Sequence, residues 1–358
     1  MKLVAVRIKV ASEVDAYAIF ETINSKKADL TVSDLLKNFI FSNAHHVSEE
    51  QLETARKNWE LMSNSLGQDI EISQYVRHLW ISAYERSRDK DLYRKIKDCF
   101  KGKHEELFKF SDMLAKEAEL YSSIIDPQEN GCNKLTYELL SDINKLRIRQ
   151  CYPLILAFLV KEISQKELQQ ILQKITSVSI RRSIVDKNPN EVESYYAISA
   201  KKVRVDGLCM LESILNGFDD YNPKDKEIKS YLEENLISEN LAKFILFKYE
   251  ISKSTGEKSI YNVTLEHILP RNPEKLSDWC LSKEEHKIYS NKLGNLTLVG
   301  RKFNSIMSNK KYADKVLELS KSEFYISKDV ADKNKKWGKE EIEKREKEIL
   351  DFFFLRWK

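Results

Sequence analysis

From Ser48 to Tyr249 apolar residues recur at three- and four-residue spacing with charged residues between them, almost without a break. That is the period of a helix with one buried face, and it excludes a layered β architecture over most of the chain. The pattern predicts helices over Glu49–Ser65, Ile72–Ser87, Asp91–Phe100, His104–Ile124, Leu135–Leu146, Tyr152–Lys161, Gln165–Ile184, Pro189–Ser199, Asp225–Asn235 and Glu239–Tyr249. No unit of about 30–45 residues repeats, so the expectation is an irregular helical domain and not a solenoid. Glycine and proline agree: 9 and 6 in 358 residues are too few for an all-β fold rich in tight turns.

The flanks read differently. MKLVAVRIKV alternates and predicts one strand, followed by a helix from Ser12 to Ile23. Thr31 and Ser33 are caps for a further helix carrying Leu35, Leu36, Phe39 and Ile40. At Ser252 a polar linker begins, and Ser259–Leu265 predicts a strand ending in Glu266-His267-Ile268-Leu269-Pro270. An irregular stretch leads to a second strand, Asn295–Val299, then Gly300 and a helix. A Lys- and Glu-rich helix closes the chain from Lys339 to Lys358. Its Phe352-Phe353-Phe354 cluster is expected to close a core, with a homodimer contact as the other reading. The resulting division is 1–45, 46–251 and 252–358.

Polar groups suited to chemistry concentrate in the last part. Glu266 and His267 end the first strand, Asn295 opens the second, and Asn304 begins the helix after it. This order brings the end of one strand beside the start of a helix, the layout of a compact ββα metal site. Carboxylate and amide oxygens are hard ligands suited to Mg²⁺ or Mn²⁺. A neutral histidine beside such an ion can take a proton from an attacking water, which is what phosphodiester hydrolysis requires. Taken alone, a Glu-His pair at a strand end equally describes a solvated pair or a core histidine with its hydrogen bonds met. His45, His46, His78, His104 and His286 lie on helical segments without a matching set and read as structural.

Three segments together carry a resemblance: Leu265–Pro270, Lys292–Val299, and Asn304–Tyr312 with Lys315. In order and spacing they resemble the C-terminal nuclease domain of GmrSD-type modification-dependent restriction endonucleases, of the HNH or His-Me finger class. The resemblance implies a mainly α protein, an irregular multi-helix domain followed by a small ββα-metal nuclease domain. It implies His267 as general base, Glu266 and Asn304 as metal ligands for Mg²⁺ or Mn²⁺, and Asn295 as the residue holding the catalytic loop. Arg271, Lys310, Lys311 and Lys315 become candidate DNA phosphate contacts; a solvated surface is the other reading of the first three. The implied function is a DNA endonuclease of a restriction or anti-phage system, with an RNase using the same finger left open. A non-catalytic DNA-binding or scaffold subunit is the alternative.

Asp15–Asn24 with Leu30 and Asp34–Asn38 is similar to the end of the family's N-terminal ParB/sulfiredoxin-like domain, and Ile180–Ile184 to its middle region. The family's DGQQR-type motif is absent, so the resemblance implies no nucleotide site in this chain and a separate N-terminal NTPase subunit as a partner.

Net charge is +4, but from Ile251 onward 23 Lys and Arg face 17 Asp and Glu, so a polyanion would prefer the last third. Five cysteines, far apart and without a CxxC pair, predict reduced, mostly buried thiols and no zinc knuckle. No apolar run approaches the roughly 20 residues of a membrane span, and the N-terminus turns acidic too soon for a signal peptide. The expectation is a soluble cytoplasmic protein.

Overall fold

The structure is a computed structural model that describes residues 31–128, 130–254, 263–279 and 281–358. The strand and helix expected over the first thirty residues, and the start of the strand expected at Ser259, lie outside the described residues. The rest is mainly helical. The helices are α1 Val32–Val47, α2 Glu49–Leu66, α3 Ile72–Ala83, α4 Asp89–Phe100, α5 His104–Ile125 and α6 Lys134–Lys145. They continue with α7 Tyr152–Val160, α8 Gln165–Ile184, α9 Pro189–Asp206, α10 Leu211–Gly217, α11 Asp225–Glu234 and α12 Glu239–Lys253. Then come β1 Val263–His267, α13 Lys283–Tyr289, β2 Leu296–Gly300, α14 Arg301–Met307, α15 Tyr312–Ser320, α16 Tyr325–Lys333 and α17 Lys339–Arg356. Among the described residues no helix is long and apolar enough to cross a membrane.

Local signals explain the helix starts. Thr31 accepts a hydrogen bond from the Asp34 amide while Asp34 accepts one from the Thr31 amide, a reciprocal cap at α1. Ser48, Asn133 and Ser238 cap α2, α6 and α12 in the simpler one-way form. The stretch expected to be irregular after Pro270 contains α13, whose start is fixed by a Ser282–Glu285 capping box that the pattern overlooked.

The chain divides into two compact units: the described part of Met1–Ile175 with Pro189–Asp219, and Thr176–Asn188 with Asp220–Lys358. The second unit thus takes in α11 and α12, ahead of the change of texture at Ser252. The reason is packing, since α12 lies against both strands and α16.

In the first unit α2 packs on α5, and α3, α7 and α9 pack on one another. Its interior holds a paired polar cluster: Arg204 makes two hydrogen bonds to Glu117, at 2.8 and 2.7 Å, and a third to Ser82. His78 is 2% exposed, with Nδ1 2.7 Å from the Tyr121 hydroxyl. Burial pushes its pKa down from 6.5 to about 3. The unfolded chain therefore takes up this proton first. The contribution of His78 to stability is complete above about pH 6.5 and is lost as the pH falls toward 3. Denaturant midpoints are expected to fall over that range, and less steeply in His78→Phe, which cannot titrate. Equal slopes in the two proteins would refute this.

The second unit holds the strands, which pair antiparallel. Leu296, Thr297, Leu298 and Val299 of β2 are all buried, because helices cover both faces, so the strand reads as a continuous run rather than an alternation. The Thr297 hydroxyl meets Ser327 Oγ at 2.8 Å, and Ser327 donates to the Leu298 carbonyl at 2.6 Å. Ile268, Leu269, Val299, Met307, Tyr312, Leu319, Trp337 and Ile342 form the core around them. Phe353 is fully buried and packs on Trp357, so the phenylalanine cluster closes the core of its own unit.

Arg181, within the Ile180–Ile184 segment, donates to the carbonyls of Pro223 and Trp357 and pairs with Asp225. It ties the end of the chain into this unit. Among the described cysteines all four are free but only Cys151 is buried, and Cys209 is exposed. The expectation of mostly buried thiols is corrected: Cys99, on α4, and Cys132, in the turn before α6, are only partly buried.

Candidate functional site

β1 brings Glu266 opposite Thr297 and His267 opposite Leu296. Successive strand residues face opposite ways, so the two side chains diverge. Glu266 turns inward and is 4% exposed, whereas His267 is half-buried. Burial, reinforced by the charge of Arg271 and opposed by Glu239, pushes the His267 pKa down from 6.5 to about 4. At neutral pH the imidazole is uncharged and able to accept a proton. Among the described residues its ring has no hydrogen-bond or ion-pair partner.

The turn after β1 is held by Asn295. Its Oδ1 accepts from the Leu269 amide at 2.8 Å and from Trp337 Nε1 at 3.0 Å. Its Nδ2 donates to the carbonyls of Leu269 at 2.9 Å and Ser290 at 2.8 Å. Both lone pairs and both protons of the amide are thus engaged, and the residue is fully buried. Asn295, expected from the resemblance to hold the catalytic loop, has no side-chain atom left for substrate; its bonds hold the turn that follows His267. The ring of His286 adds a second tie, Nε2 to the Pro270 carbonyl at 2.8 Å. A carbonyl only accepts, so Nε2 carries the proton.

Asn295 is itself gripped by α17. Arg345 donates to the carbonyls on either side of it, Gly294 at 2.7 Å and Leu296 at 2.6 Å, and Glu346 accepts from the Leu293 amide at 3.2 Å. Gly294 makes this approach feasible: a β-carbon there would lie 2.2 Å from the Ile342 carbonyl oxygen. Gly294→Ala is therefore expected to lower stability by about 1–3 kcal/mol or more, the cost of overpacking against backbone. A melting temperature equal to that of the parent would contradict so close a fit.

Glu266 meets Lys315. Nζ donates to Glu266 Oε1 at 2.5 Å and to the His267 carbonyl at 2.7 Å, and Lys315 is 0% exposed. Burial raises the carboxyl pKa and lowers that of the ammonium, and each partner opposes the shift of the other. Lys315 as a DNA phosphate contact is corrected: its ammonium is sealed in the interior and bound to a carboxylate. Lys310 and Lys311 are exposed at the turn between α14 and α15. Arg271 is exposed as well, but pairs with Glu239 at 2.9 Å and donates to Asn291 at 3.2 Å.

Asn304 sits on α14 directly after β2. Its Nδ2 donates to Thr264 Oγ1 at 3.1 Å and to the Leu265 carbonyl at 2.9 Å, which pins this helix to β1. The bonds to β1 aim its amide nitrogen at the strand, and among the described residues Oδ1 has no partner. Among the described residues no group of three or more His, Cys, Asp or Glu gathers around one point. A site of that kind is not what the strand–helix junction offers. β1 carries the Glu266 carboxylate, and α14, which packs on it, carries the Asn304 amide oxygen. In chemical type they fit a hard divalent ion that keeps several waters.

Sequence reasoning missed Trp337, Arg345, Ser290 and Thr264, which fix the groups above. Lys315 did carry a signal. It falls on the apolar stripe of α15 with Tyr312, Val316 and Leu319, where a lysine survives only if paired.

Fold and site together define a mainly helical protein in which a small two-stranded element carries a neutral, half-buried imidazole on one face and a buried carboxylate on the other. Residues 214–352 match the family model of the C-terminal domain of GmrSD restriction endonucleases, a stretch that contains every group of the site. No curated protein matches the chain.

Proposed function

We propose that β1, β2 and α14 form the catalytic element of an HNH-type DNA endonuclease within a restriction system. The observation that carries this reading is His267: an imidazole neutral at pH 7, half-buried and without a partner among the described residues, next to a turn held by Asn295. The match to a restriction endonuclease domain supports DNA as the substrate.

In this reading the His267 ring takes a proton from a water as the water oxygen attacks phosphorus. The bond from phosphorus to the 3′ oxygen breaks, the leaving oxygen acquires a proton from solvent, and His267 later releases its own. Glu266 and Asn304 would hold Mg²⁺ or Mn²⁺, which supplies charge stabilisation at the phosphate when bound. Asn295, Arg345 and Trp337 keep the turn in register. Lys310 and Lys311 face solvent and draw the backbone in by charge, so affinity falls steeply with salt.

Cleavage of supercoiled plasmid at low salt tests this reading. Nicked or linear product with Mg²⁺ or Mn²⁺ and none with EDTA is expected; product equal in EDTA would overturn the metal. The pH dependence is a further prediction. In kcat/KM the acid limb is expected near 4, where the free-enzyme imidazole titrates, with a level rate through neutral pH. An acid limb at 6.5 would describe a solvated ring instead. One observation favours the second reading, a DNA-binding or scaffold module without turnover: the Glu266 carboxylate is already neutralised by Lys315. Retained DNA binding with no cleavage under any metal would select it.

A further inference from the structure

Lys315 is the charged group of the site that the proposed chemistry leaves without a task. It projects from the buried face of α15, fully enclosed, with Nζ on Glu266 Oε1 at 2.5 Å and on the His267 carbonyl at 2.7 Å. We infer that Lys315 is the resident cation of the Glu266 carboxylate, and that a divalent ion takes up Glu266 in exchange for this ammonium and not beside it. The inference rests on the reading of Glu266 as a metal donor.

Three observations lead there. First, the carboxylate is 4% exposed and the lysine 0%, so the pair sits where charges are weakly screened. An ion on either oxygen of one carboxylate stands within about 6 Å of Nζ, a range over which like charges oppose each other strongly. Second, Lys315 has somewhere to remain. The His267 carbonyl holds a second proton of the ammonium, so Nζ can leave Oε1 without becoming a buried charge with no partner. The flexible lysine stem permits that small change, as a planar guanidinium would not. Third, without the ion the ammonium spares the fold an unpaired buried carboxylate. Lys315 thus sets the affinity of the site for its ion, and the same bond to the His267 carbonyl holds the strand end through the exchange.

Binding of Mn²⁺ to the full chain, followed by the electron paramagnetic resonance of the free ion, tests this directly. Lys315→Met is expected to bind Mn²⁺ about tenfold more tightly than the parent, the order of effect of removing one like charge nearby. Equal or weaker binding by Lys315→Met, while Glu266→Gln binds poorly, overturns the exchange and leaves Glu266 a ligand. Glu266→Gln that binds as the parent does overturns the metal reading itself, and the exchange with it.

Should Lys315→Met fail to fold, the parent chain answers alone. The Lys315 ammonium is identified in a ¹⁵N-lysine NMR spectrum by its loss in Lys315→Arg. It is expected to shift or broaden as Mg²⁺ is added. An ammonium signal unchanged at Mg²⁺ levels that displace bound Mn²⁺ overturns the exchange.

Discussion

Lys315→Met is expected to destabilise the unit that carries it by about 3–5 kcal/mol at neutral pH, the cost of leaving a buried charge without its partner. The carboxylate left behind is 4% exposed, so water cannot replace the ammonium. Removing both charges in Glu266→Gln/Lys315→Met is expected to recover most of the loss, because the buried ionic cost goes with them. The single variant has a pH signature. Without Lys315 only burial acts on Glu266 and raises its pKa further above the unfolded value. The variant's deficit then shrinks as the pH falls and the carboxyl is protonated in the folded state. Denaturant unfolding of the three proteins measures this. A Lys315→Met midpoint equal to that of the parent would mean the pair contributes nothing.

His267→Ala is expected to reduce DNA cleavage by about 10²–10⁴-fold, the usual worth of a positioned general base. The ring makes no hydrogen bond among the described residues, so its loss leaves no partner unsatisfied. The same substitution is therefore expected to leave folding nearly untouched. That combination separates His267 from Asn295. Asn295→Ala removes four hydrogen bonds in the core and should lower activity only together with stability.

Much of the helical framework was legible because helix period and capping are local properties. The starts of α2, α8, α11 and α12 follow from the pattern of Ser48, Gln165, Asp225 and Ser238 with the apolar residues behind them. The strands were legible too, as β-branched runs bounded by Pro270 and Gly300. What escaped was the set of contacts that cross the sequence. Nothing around Arg345, in a helix dense with charges, distinguishes it from its exposed neighbours, yet it alone reaches the carbonyls of Gly294 and Leu296. Trp337 stands in the polar run Asn334–Lys339, and only the tertiary fold shows that its indole serves Asn295. For Lys315, its place on an apolar stripe announced burial, but not that Glu266 would be its partner.

The most direct test of the central claim compares the parent chain with His267→Ala on supercoiled plasmid at low salt, each with Mg²⁺, Mn²⁺ or EDTA. Metal-dependent nicking or linearisation by the parent, lost in His267→Ala while its melting curve is unchanged, is the expected result. Equal product from both proteins, or none from the parent with either metal, would contradict a nuclease in which His267 is the base.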